Sequence, residues 1–475
     1  MGSLKSLPSK LVCSLLGKDG FRQPEIDESL ENMLKKIIGN VLNKRRAKKL
    51  KIACQYHNLH LPAEHTPAAH VIRELTSHGY EAYLVGGAVR DFLLHVAPKD
   101  FDVATNATPE QVCKLFRRSR VIGKRFPIAH VMVGRDTVEV STFRSGVARQ
   151  NEAGRIVKDN AYGTIEQDAV RRDFTCNALY YDMNKKQVID FHNGMDDIQQ
   201  KRLVMIGEPV ARYQEDPVRM LRAVRLAGKL DFVIDETTAA PIAEQAHLLQ
   251  KEPVARLFDE LVKIIVSGHA QGCLQQLRHL GVDASDIHPL LFALQNAPRH
   301  GVIEQALLGT DKRVRAGQSV SVGFVLAALM WDKILPNYQQ NQSNGASEVN
   351  AMLAAISAFR DEMERGWGVP QTMSATMREI WALQPHFLYL RGKRPFKLLS
   401  NPRFRAAYDF LLIRAKVGEV ESALADWWTK FQYAKDDVRN EMAYSDSLKI
   451  QGEATAPKKK RRKPRKKANA KSVGE

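Results

Sequence analysis

Two carboxylates separated by a single residue occur in the segment LVGGAVRDFLLHVAPKDFDVAT, residues 84–105. They are Asp100 and Asp102. The stretch DFDVAT is predicted to be a strand, where alternate side chains point the same way, so the two carboxylates would share one face. The two negative charges repel each other unless a cation lies between them. Oxygen-only ligands of this kind suit Mg²⁺, which binds one or two carboxylates together with phosphate oxygens.

The turn Gly86–Gly87 lies between a predicted strand, EAYLVGG, and a short predicted helix, AVRDFLL. Because glycine lacks a Cβ atom, the backbone N–H groups of such a turn can approach a phosphate closely. The N-terminus of the following helix adds a favourable potential, and Arg90, one turn into that helix, is predicted to bind the same phosphates. A glycine pair alone is most often just a tight turn. Beside two aspartates, it predicts adjacent sites for a triphosphate and a metal ion.

A third carboxylate, Glu139, lies in the predicted strand VEVSTFR between Val138 and Val140. Its side chain leaves the apolar face of that strand. If the strand pairs beside the strand that carries Asp100 and Asp102, Glu139 joins the same cluster. Otherwise it is an ordinary solvated strand residue, and the spacing alone leaves these two alternatives about even.

The elements that would position these residues change in kind along the chain. Between about residues 65 and 205, helices and strands alternate. One helix, TPEQVCKLFRR, has Thr108 as its N-cap and Pro109 at its first position. The segment IAHVMVGRDTVEVSTFR predicts two strands joined at Gly134–Asp136, and residues 145–162 are predicted to form a loop. After residue 205 only helical patterns are seen.

This pattern predicts an α/β head, with a mixed sheet and helices, followed by an all-α neck and body. The predicted limits are an N-terminal extension at 1–64, the head at 65–205, the neck at 206–268, the body at 269–445 and a disordered basic tail at 446–475. A length of 475 residues fits several domains. The longest apolar run, Val322–Trp331, is too short to span a membrane and predicts a buried core helix.

The net charge of +18 is concentrated in blocks. The segment KKKRRKPRKK holds nine basic side chains, and a second cluster, NKRRAKKLK, lies at 43–51. The like charges within each block repel one another, and the blocks have no apolar side chains to bury, so they are predicted to be disordered. Their positive charge is predicted to attract nucleic acid. A solubilising tail is the alternative. The residues predicted to bind RNA are Lys458, Lys459, Lys460, Arg461, Arg462, Lys463, Arg465, Lys466 and Lys467.

The five cysteines are far apart and form no CxxC pair. This spacing argues against a zinc site or a disulfide framework. The N-terminus shows only a short apolar patch, so no signal peptide is predicted. The simplest setting is a reducing cytoplasm, without an integral membrane segment.

Four segments resemble the ordered motifs of the nucleotidyltransferase family that contains tRNA CCA-adding enzymes and bacterial poly(A) polymerases. They are LVGGAVRDFLL…KDFDVAT, VEVSTFR, RRDFTCNALYYD and EDPVRMLRAVR. From about residue 65 to residue 435 the chain resembles the bacterial poly(A) polymerases in particular. The segment GKRPFKLLSNPRFRAAYDFLLIRA and the basic tail carry that closer resemblance. It implies a nucleotidyltransferase head.

The resemblance assigns the carboxylates a role in catalysis. In this family the paired aspartates bind two Mg²⁺ ions, a role that falls here on Asp100 and Asp102, and the strand carboxylate that completes the cluster matches Glu139. One ion would activate the RNA 3′-OH, and the other would steady the triphosphate and the pyrophosphate leaving group. Catalysis would then be mostly positioning and charge neutralisation.

The motif RRDFT is the next one that the resemblance makes functional. It implies that Arg172 contacts the nucleotide and that Asp173 is a candidate catalytic carboxylate. The alternative for Asp173 is a structural one, in which it caps a helix or pairs with Arg171 or Arg172.

The motif EDPVR begins a predicted helix. Asp216 is placed to cap the helix that Pro217 starts, and Arg219 and Arg222 share a face because they are three residues apart. The resemblance implies that Asp216 and Arg219 read the incoming base, and Arg222 is a further nucleotide-binding candidate. A pure capping role for Asp216 is the alternative.

The function that the resemblance implies is template-independent transfer of AMP from ATP to RNA 3′ ends, linked to mRNA processing and decay. RNA-decay proteins are candidate partners, and a monomer is the default state. One alternative is a CCA-adding enzyme, which would use CTP and ATP on tRNA-like ends. Another is a non-catalytic RNA-binding protein, which the intact Asp100–Asp102 pair disfavours. The basic tail favours poly(A) addition, because binding to any phosphate backbone suits varied RNA substrates.

Overall fold

The computed structural model describes residues 54–123, 127–145, 149–150, 156–158 and 161–444. The basic tail and the basic cluster at 43–51, both predicted to be disordered, therefore lie outside the described residues.

The head contains almost all of the strands. In chain order the strands are β1 Gln55–Asn58, β2 Ala82–Val85, β3 Asp102–Thr105, β4 Ser119–Ile122, β5 Ile128–Val133, β6 Asp136–Thr142, β7 Arg149–Gln150, β8 Ile156–Lys158, β9 Leu179–Asp182, β10 Gln187–Asp190, β11 Arg202–Leu203 and β12 Val233–Ile234. Eight of them form one sheet in the order β1-β10-β9-β2-β3-β6-β5-β4. Its neighbours are antiparallel except β3 and β6, which run parallel. The sheet is therefore mixed, as predicted.

Helices cover the sheet of the head. They are α1 Pro67–Ser77, α2 Gly87–Leu93, α3 Pro109–Leu115, α4 Ile165–Arg171 and α5 Gly194–Gln199. Helix α1 packs on β2 and β6, and α3 packs on β4 and β5. The predicted cap of α3 is confirmed, because the Thr108 side chain accepts a hydrogen bond from the backbone N–H of Gln111 and the Gln111 side chain bonds back. Val103 and Val140, in register on β3 and β6, are fully buried beneath these helices.

The neck and body are helical. Their helices are α6 Pro209–Glu215, α7 Val218–Leu230, α8 Glu236–Ala239, α9 Ile242–Gln245, α10 Val254–Ile265, α11 Ala270–His279, α12 Pro289–Gln295, α13 Val302–Arg315, α14 Val322–Leu329, α15 Trp331–Ser343, α16 Glu348–Asp361, α17 Gln371–Leu383, α18 Arg394–Leu399, α19 Phe404–Lys416, α20 Ser422–Tyr433 and α21 Asp436–Tyr444. Short 3₁₀ turns at Thr175–Asn177, Ala246–Lys251 and Gln384–Leu388, and a π-turn at Glu362–Gly366, complete the described elements.

The body is held together by large apolar side chains. The run that was predicted to be a core helix forms α14, whose residues from Val325 to Leu329 are all buried. Trp428 is also fully buried on α20, and its indole N–H donates to the carbonyl of Phe387 at 2.8 Å. Within the part of the chain that the structure describes, no helix has both the length and the apolar character that crossing a bilayer requires.

Four local features differ from the sequence predictions. Strand β3 begins at Asp102, so Asp100 lies in the exposed bend before it and not in the strand. The predicted loop at 145–162 contains β7 and β8, a short antiparallel pair. In the neck, β12 pairs in parallel with β11, through two residues of each strand. Strands this short show no alternation of apolar and polar residues, so the sequence did not predict them. Strand β1 extends the sheet into the segment predicted as an N-terminal extension.

Candidate active site

Strands β3 and β6 bring two of the predicted carboxylates together. In the parallel ladder Asp102 is the register partner of Glu139, and the backbone N–H of Glu139 donates to the carbonyl of Phe101 at 3.3 Å. Val103 and Val140 follow them into the core. Because alternation fixes which face each side chain takes, the buried valines direct both carboxylates to the same face of the sheet.

The glycine turn lies directly against this carboxylate edge. Gly86 has a φ of +73°, a conformation that favours glycine, and a Cβ atom placed on it would lie 3.9 Å from an Asp102 carboxylate oxygen. The same atom would lie 3.6 Å from a guanidinium nitrogen of Arg172. The next residue, Gly87, begins helix α2. The turn and an acid of the first motif thus meet an arginine of the motif RRDFTCNALYYD at one point.

The electrostatics of Asp102 are unfavourable in the absence of a cation. Burial, with the charges of Glu139 and Asp100, raises the pKa of its carboxyl to about 6, against the opposing effect of Arg172. An acid held among other acids is stabilised when a cation neutralises them. The all-oxygen donor set formed by Asp102, Glu139 and the exposed Asp100 therefore fits Mg²⁺ by its chemistry.

The structure does not arrange the three carboxylates as a complete set of metal ligands. Glu139 is half exposed, and its carboxylate lies 3.4 Å from the Nε2 atom of His130, its cross-strand neighbour on β5. Across the described ranges, no group of three or more His, Cys, Asp or Glu side chains is arranged to hold a metal ion. The assignment of Asp100, Asp102 and Glu139 as metal ligands stays a prediction.

Arg172 is fixed beside the glycine turn by a buried network. Its guanidinium donates to the Asp168 carboxylate at 3.0 and 3.2 Å and to the Tyr180 hydroxyl at 2.9 Å. The Tyr180 hydroxyl in turn donates to Asp168 at 2.7 Å. Burial opposes the charge of Arg172, but Tyr180 and Asp168 outweigh it and raise its pKa. A permanent positive charge is therefore held next to Gly86 and Asp102.

Arg90 is buried, with 4% of its surface exposed. Its guanidinium donates to the Asp91 carboxylate at 2.6 and 2.9 Å and to the Asn177 side-chain oxygen at 2.6 Å. These bonds anchor α2 to the 3₁₀ turn at Thr175–Asn177. The same guanidinium was predicted to bind phosphate. Its structural role is observed, and phosphate binding by Arg90 stays a prediction.

Asp173 pairs with an arginine of the neck. One of its carboxylate oxygens lies 2.6 Å from a guanidinium nitrogen of Arg222, and the other accepts the backbone N–H of Phe174 at 2.8 Å. Burial would raise the pKa of Asp173, but Arg222 and the Phe174 bond lower it overall. The sequence alternative named a cap or a partner among Arg171 and Arg172. Neither is observed: the 3₁₀ turn that follows has Phe174 as its N-cap, without a side-chain cap, and the ion-pair partner of Asp173 is Arg222 on α7.

Asp216 caps helix α7 and also forms an ion pair. Its Oδ1 atom accepts the backbone N–H of Val218 at 3.3 Å, and its Oδ2 atom accepts from Arg256 of α10 at 2.8 Å. Arg219 donates to Glu215 at 2.6 Å and to the carbonyl of Arg212 at 2.8 Å. The two candidate base-reading groups are therefore held in place by neighbours on three helices.

Arg212 joins the neck to the head. One guanidinium nitrogen donates to the carbonyl oxygens of Arg171 and Arg172, at 2.7 and 2.6 Å, and another donates to Glu215 at 2.6 Å. Because Glu215 also accepts from Arg219, one continuous set of hydrogen bonds runs from the end of α4 to helix α7. It couples the segment that carries Arg172 to the helix that carries Arg219.

Several residues of this site were not singled out from the sequence. They are Asp168, Asn177, Tyr180, Arg212, Glu215 and Arg256. Glu215, Asn177 and Tyr180 lie inside the quoted motifs, so their polarity within an otherwise apolar pattern could have marked them. Arg256 lies 40 residues after its partner Asp216 on another helix, and no local pattern predicts that contact.

Three sequence profiles match the chain. They are described as "Poly A polymerase head domain" at residues 82–204, "Probable RNA and SrmB-binding site of polymerase A" at residues 231–284, and "Polymerase A arginine-rich C-terminus" at residues 344–467. Together they cover the head, the middle of the chain and the C-terminal region.

Individual relatives agree with these profiles. Poly(A) polymerase I of Salmonella typhimurium is 40% identical over 417 residues, which is 84% of this chain and 88% of the relative. The Haemophilus influenzae enzyme of the same name is 38% identical over 413 residues, 84% of this chain and 90% of the relative. A CCA-adding enzyme of Enterococcus faecalis is 39% identical over only 214 residues, 45% of this chain and 52% of the relative.

Solved structures support the fold. A tRNA-processing enzyme in an apo form is similar with a TM-score of 0.52 at 20% identity, over 81% of this chain and 99% of that one. A tRNA nucleotidyltransferase complexed with a primer tRNA and an incoming ATP analogue gives a TM-score of 0.50 at 22% identity, over 76% and 98%. These two structures show the fold, and the profiles together with the relatives that match 84% of the chain show that it belongs to the bacterial poly(A) polymerases of the tRNA nucleotidyltransferase family.

Proposed function

We propose that this protein is a polynucleotide adenylyltransferase, which transfers AMP from ATP to RNA 3′ ends without a template and releases pyrophosphate. The observation that carries the proposal is the meeting of Asp102, Glu139, Gly86 and Arg172 at one edge of the head sheet. A carboxylate pair beside a glycine turn and a fixed guanidinium is suited to phosphoryl transfer, which needs positioning and charge neutralisation.

In this proposal Asp102, Glu139 and Asp100 hold Mg²⁺. Bound there, two ions would lower the pKa of the RNA 3′-OH and neutralise charge on the triphosphate. The chain's own groups bind the rest of the nucleotide. The backbone N–H of Gly86 donates to the carbonyl of Leu179 at 3.2 Å, so the phosphate oxygens are bound by the N–H of Gly87 at the start of α2, while Gly86 leaves room for their approach. The guanidinium of Arg172, protonated at every relevant pH, neutralises their charge.

The base would be recognised by the neck. We propose that Asp216 and Arg219 contact the incoming adenine and that their neighbours hold them in one orientation, since Arg256 binds the first and Glu215 the second. Arg222, paired with Asp173, lies one turn further along α7 and would complete the nucleotide site. In this arrangement Asp173 positions Arg222 and need not exchange a proton.

The sequence similarity to a CCA-adding enzyme covers less of the chain than the similarity to poly(A) polymerases. The CCA-adding relative matches 45% of it, whereas the poly(A) polymerase relatives match 84%. The arginine-rich profile reaches residue 467 and so includes the basic segment at 458–467. We propose that this segment binds RNA of varied sequence through its phosphates. A cytoplasmic location, a monomeric state and contacts with RNA-decay proteins are further parts of the proposal.

Primer extension tests the proposed function. A short generic RNA is incubated with Mg²⁺ and each nucleoside triphosphate separately, with Asp102→Asn as the inactive control. We expect long ladders with ATP alone. Addition of two C residues and one A to a tRNA lacking its end, without ladders on the generic RNA, would instead establish CCA addition. Absence of any addition by the intact chain would contradict both enzymatic functions and leave RNA binding alone.

A further inference from the structure

A cluster of four basic side chains lies where the head, the neck and the body meet. Its members are Lys99, Lys229, His269 and Arg315, and we call them the junction cluster. They come from the bend before β3, the last turn of α7, the residue preceding α11 and the last residue of α13. Lys99 is the first residue of the motif KDFDVAT, and none of the four has been given a role in the nucleotide site described above.

Close backbone packing brings these parts of the chain together. Helices α7 and α11 cross at Gly228 and Gly272, where a Cβ atom on Gly228 would lie 2.7 Å or less from the α11 backbone. Lys229 is the next residue along α7. Gly268, with a φ of +82°, packs against Arg315, whose Cγ atom would lie 3.6 Å from an added Cβ atom. His269 follows directly, so these contacts bring together the backbone segments that carry Lys229, His269 and Arg315.

Electrostatics extend the junction cluster to the active-site bend. The charge of Lys99 lowers the pKa of both Lys229 and His269, in addition to the effect of burial on each. Lys229 also lowers the pKa of His269, as does Arg315. Lys99 is joined by one peptide bond to Asp100, a proposed metal ligand. The junction cluster therefore begins beside the site where the RNA 3′-OH is expected to lie.

The nearby acids neutralise this charge only in part. Asp91, which raises the pKa of Lys229, is already bound by two nitrogens of Arg90. Asp311, which raises the pKa of His269, accepts the backbone N–H groups of Ala270 and Gln271 at the start of α11. In the described part of the chain, no member of the junction cluster has a side-chain hydrogen bond or an ion pair. The positive charge that remains on Lys99, Lys229 and Arg315 is stabilised by a polyanion.

We propose that the junction cluster is a phosphate-binding site for the RNA strand just upstream of its 3′ end. The inference rests on the proposed function, because the 3′ end is placed by the active site. Exposed Lys99 and Arg315 would contact successive phosphates, while the less exposed Lys229 contributes positive potential from beneath. Sequence-independent phosphate contacts of this kind let the strand move by one nucleotide after each addition.

The test is the salt dependence of RNA binding by the full chain. The variant K229M/R315Q removes two charges but keeps the aliphatic stems that pack against neighbouring residues. A matched control, K333M/K416M, removes two exposed lysines from α15 and α19 of the body. A fluorescent oligo(A) serves as the probe, and its Kd is measured over about 50–200 mM salt. Catalysis is not needed for this readout.

We expect the junction variant to bind oligo(A) roughly tenfold more weakly, with a slope of log Kd against log salt reduced by about 1.4, or 0.7 for each lost phosphate contact. The KM for ATP should change less than twofold. A slope equal to that of the control would overturn the proposal, and so would a raised KM for ATP with unchanged RNA binding. Primer extension by the intact chain is measured in parallel, so failure of the enzymatic function is seen separately from failure of this site.

Discussion

Asp102 and Glu139 are register partners across the parallel pairing of β3 and β6, with buried valines directly after each of them. The register places one carboxylate beside another at the edge of a hydrophobic core. Burial and the neighbouring Glu139 raise the pKa of Asp102 to about 6. The folded protein thus holds an acid in unfavourable surroundings, as expected of a site that is completed by a cation.

Asp102→Asn should remove activity and stabilise the protein free of metal. Because the folded pKa of Asp102 exceeds its ordinary value, its contribution to stability is complete below pH 3.8 and is lost as the pH rises through about 6. We expect the variant to raise the free energy of unfolding by about 1–2 kcal/mol at about pH 8 and by little at about pH 4. Urea unfolding without Mg²⁺ measures this difference.

The same variant should lower AMP incorporation by about 10²- to 10³-fold or more. The reason is that it removes a proposed ligand of the Mg²⁺ that neutralises the phosphate being transferred. RNA affinity should stay within twofold. Asp136→Asn, at the exposed start of β6, is the control that should alter neither property. Parallel loss of activity and RNA affinity in the Asp102 variant would indicate a structural role instead.

Arg256→Met should weaken the discrimination between ATP and CTP. Arg256 donates to the Oδ2 atom of Asp216 at 2.8 Å, and without that bond the carboxylate that is proposed to read the base gains freedom. We expect the ratio of kcat/KM for ATP to that for CTP to fall about tenfold, which is about 1.4 kcal/mol. Asp259→Asn, on an exposed position of the same helix, should leave the ratio unchanged.

Equal losses for both nucleotides in the Arg256 variant would argue against a role in base selection. They would mean that Arg256 supports the neck as a whole. The cap that Asp216 forms on the backbone N–H of Val218 does not involve Arg256, so the start of α7 should persist in the variant. Helix content measured by circular dichroism checks this.

Arg212→Lys should destabilise the junction between head and neck. A lysine cannot reproduce the forked bonds by which Arg212 reaches the carbonyls of Arg171 and Arg172 and the carboxylate of Glu215. We expect a loss of about 2 kcal/mol in the free energy of unfolding, the order of one or two charge-assisted hydrogen bonds. Arg405→Lys, on the exposed side of α19, should cost less than about 0.5 kcal/mol. Equal losses in the two variants would contradict the prediction.

The elements of the site were predictable wherever a local pattern determines them. Alternation predicted the hairpin joined at Gly134–Asp136, and the cap of α3 followed from Thr108 and Pro109. The pairing of β3 with β6 was left open, because strand order depends on contacts between residues 37 positions apart. The start of β3 was misplaced at Asp100, since alternating polarity continues into a bend that has left the sheet.

Contacts between the head and the neck could not be predicted for a related reason. Asp173 has two arginines as sequence neighbours, and both were plausible partners. Its partner is Arg222, because the carboxylate points away from α4 while Arg171 and Arg172 turn toward Asp168. Charge alone predicts that an ion pair forms, but the orientation of the backbone decides with which residue.

Deletion of residues 456–475 should weaken RNA binding and flatten its dependence on salt. This stretch includes nine basic side chains at 458–467, and it lies outside the described residues. Each phosphate contact contributes about 0.7 to the slope of log Kd against log salt, so the slope should fall by up to about 6. A variant of equal length, with serine and glycine in place of the basic residues, separates charge from length. Both should retain addition of the first nucleotide at high RNA concentration, because the candidate active site lies in the head. An unchanged slope would mean that the tail does not contact the RNA and that the folded domains bind it.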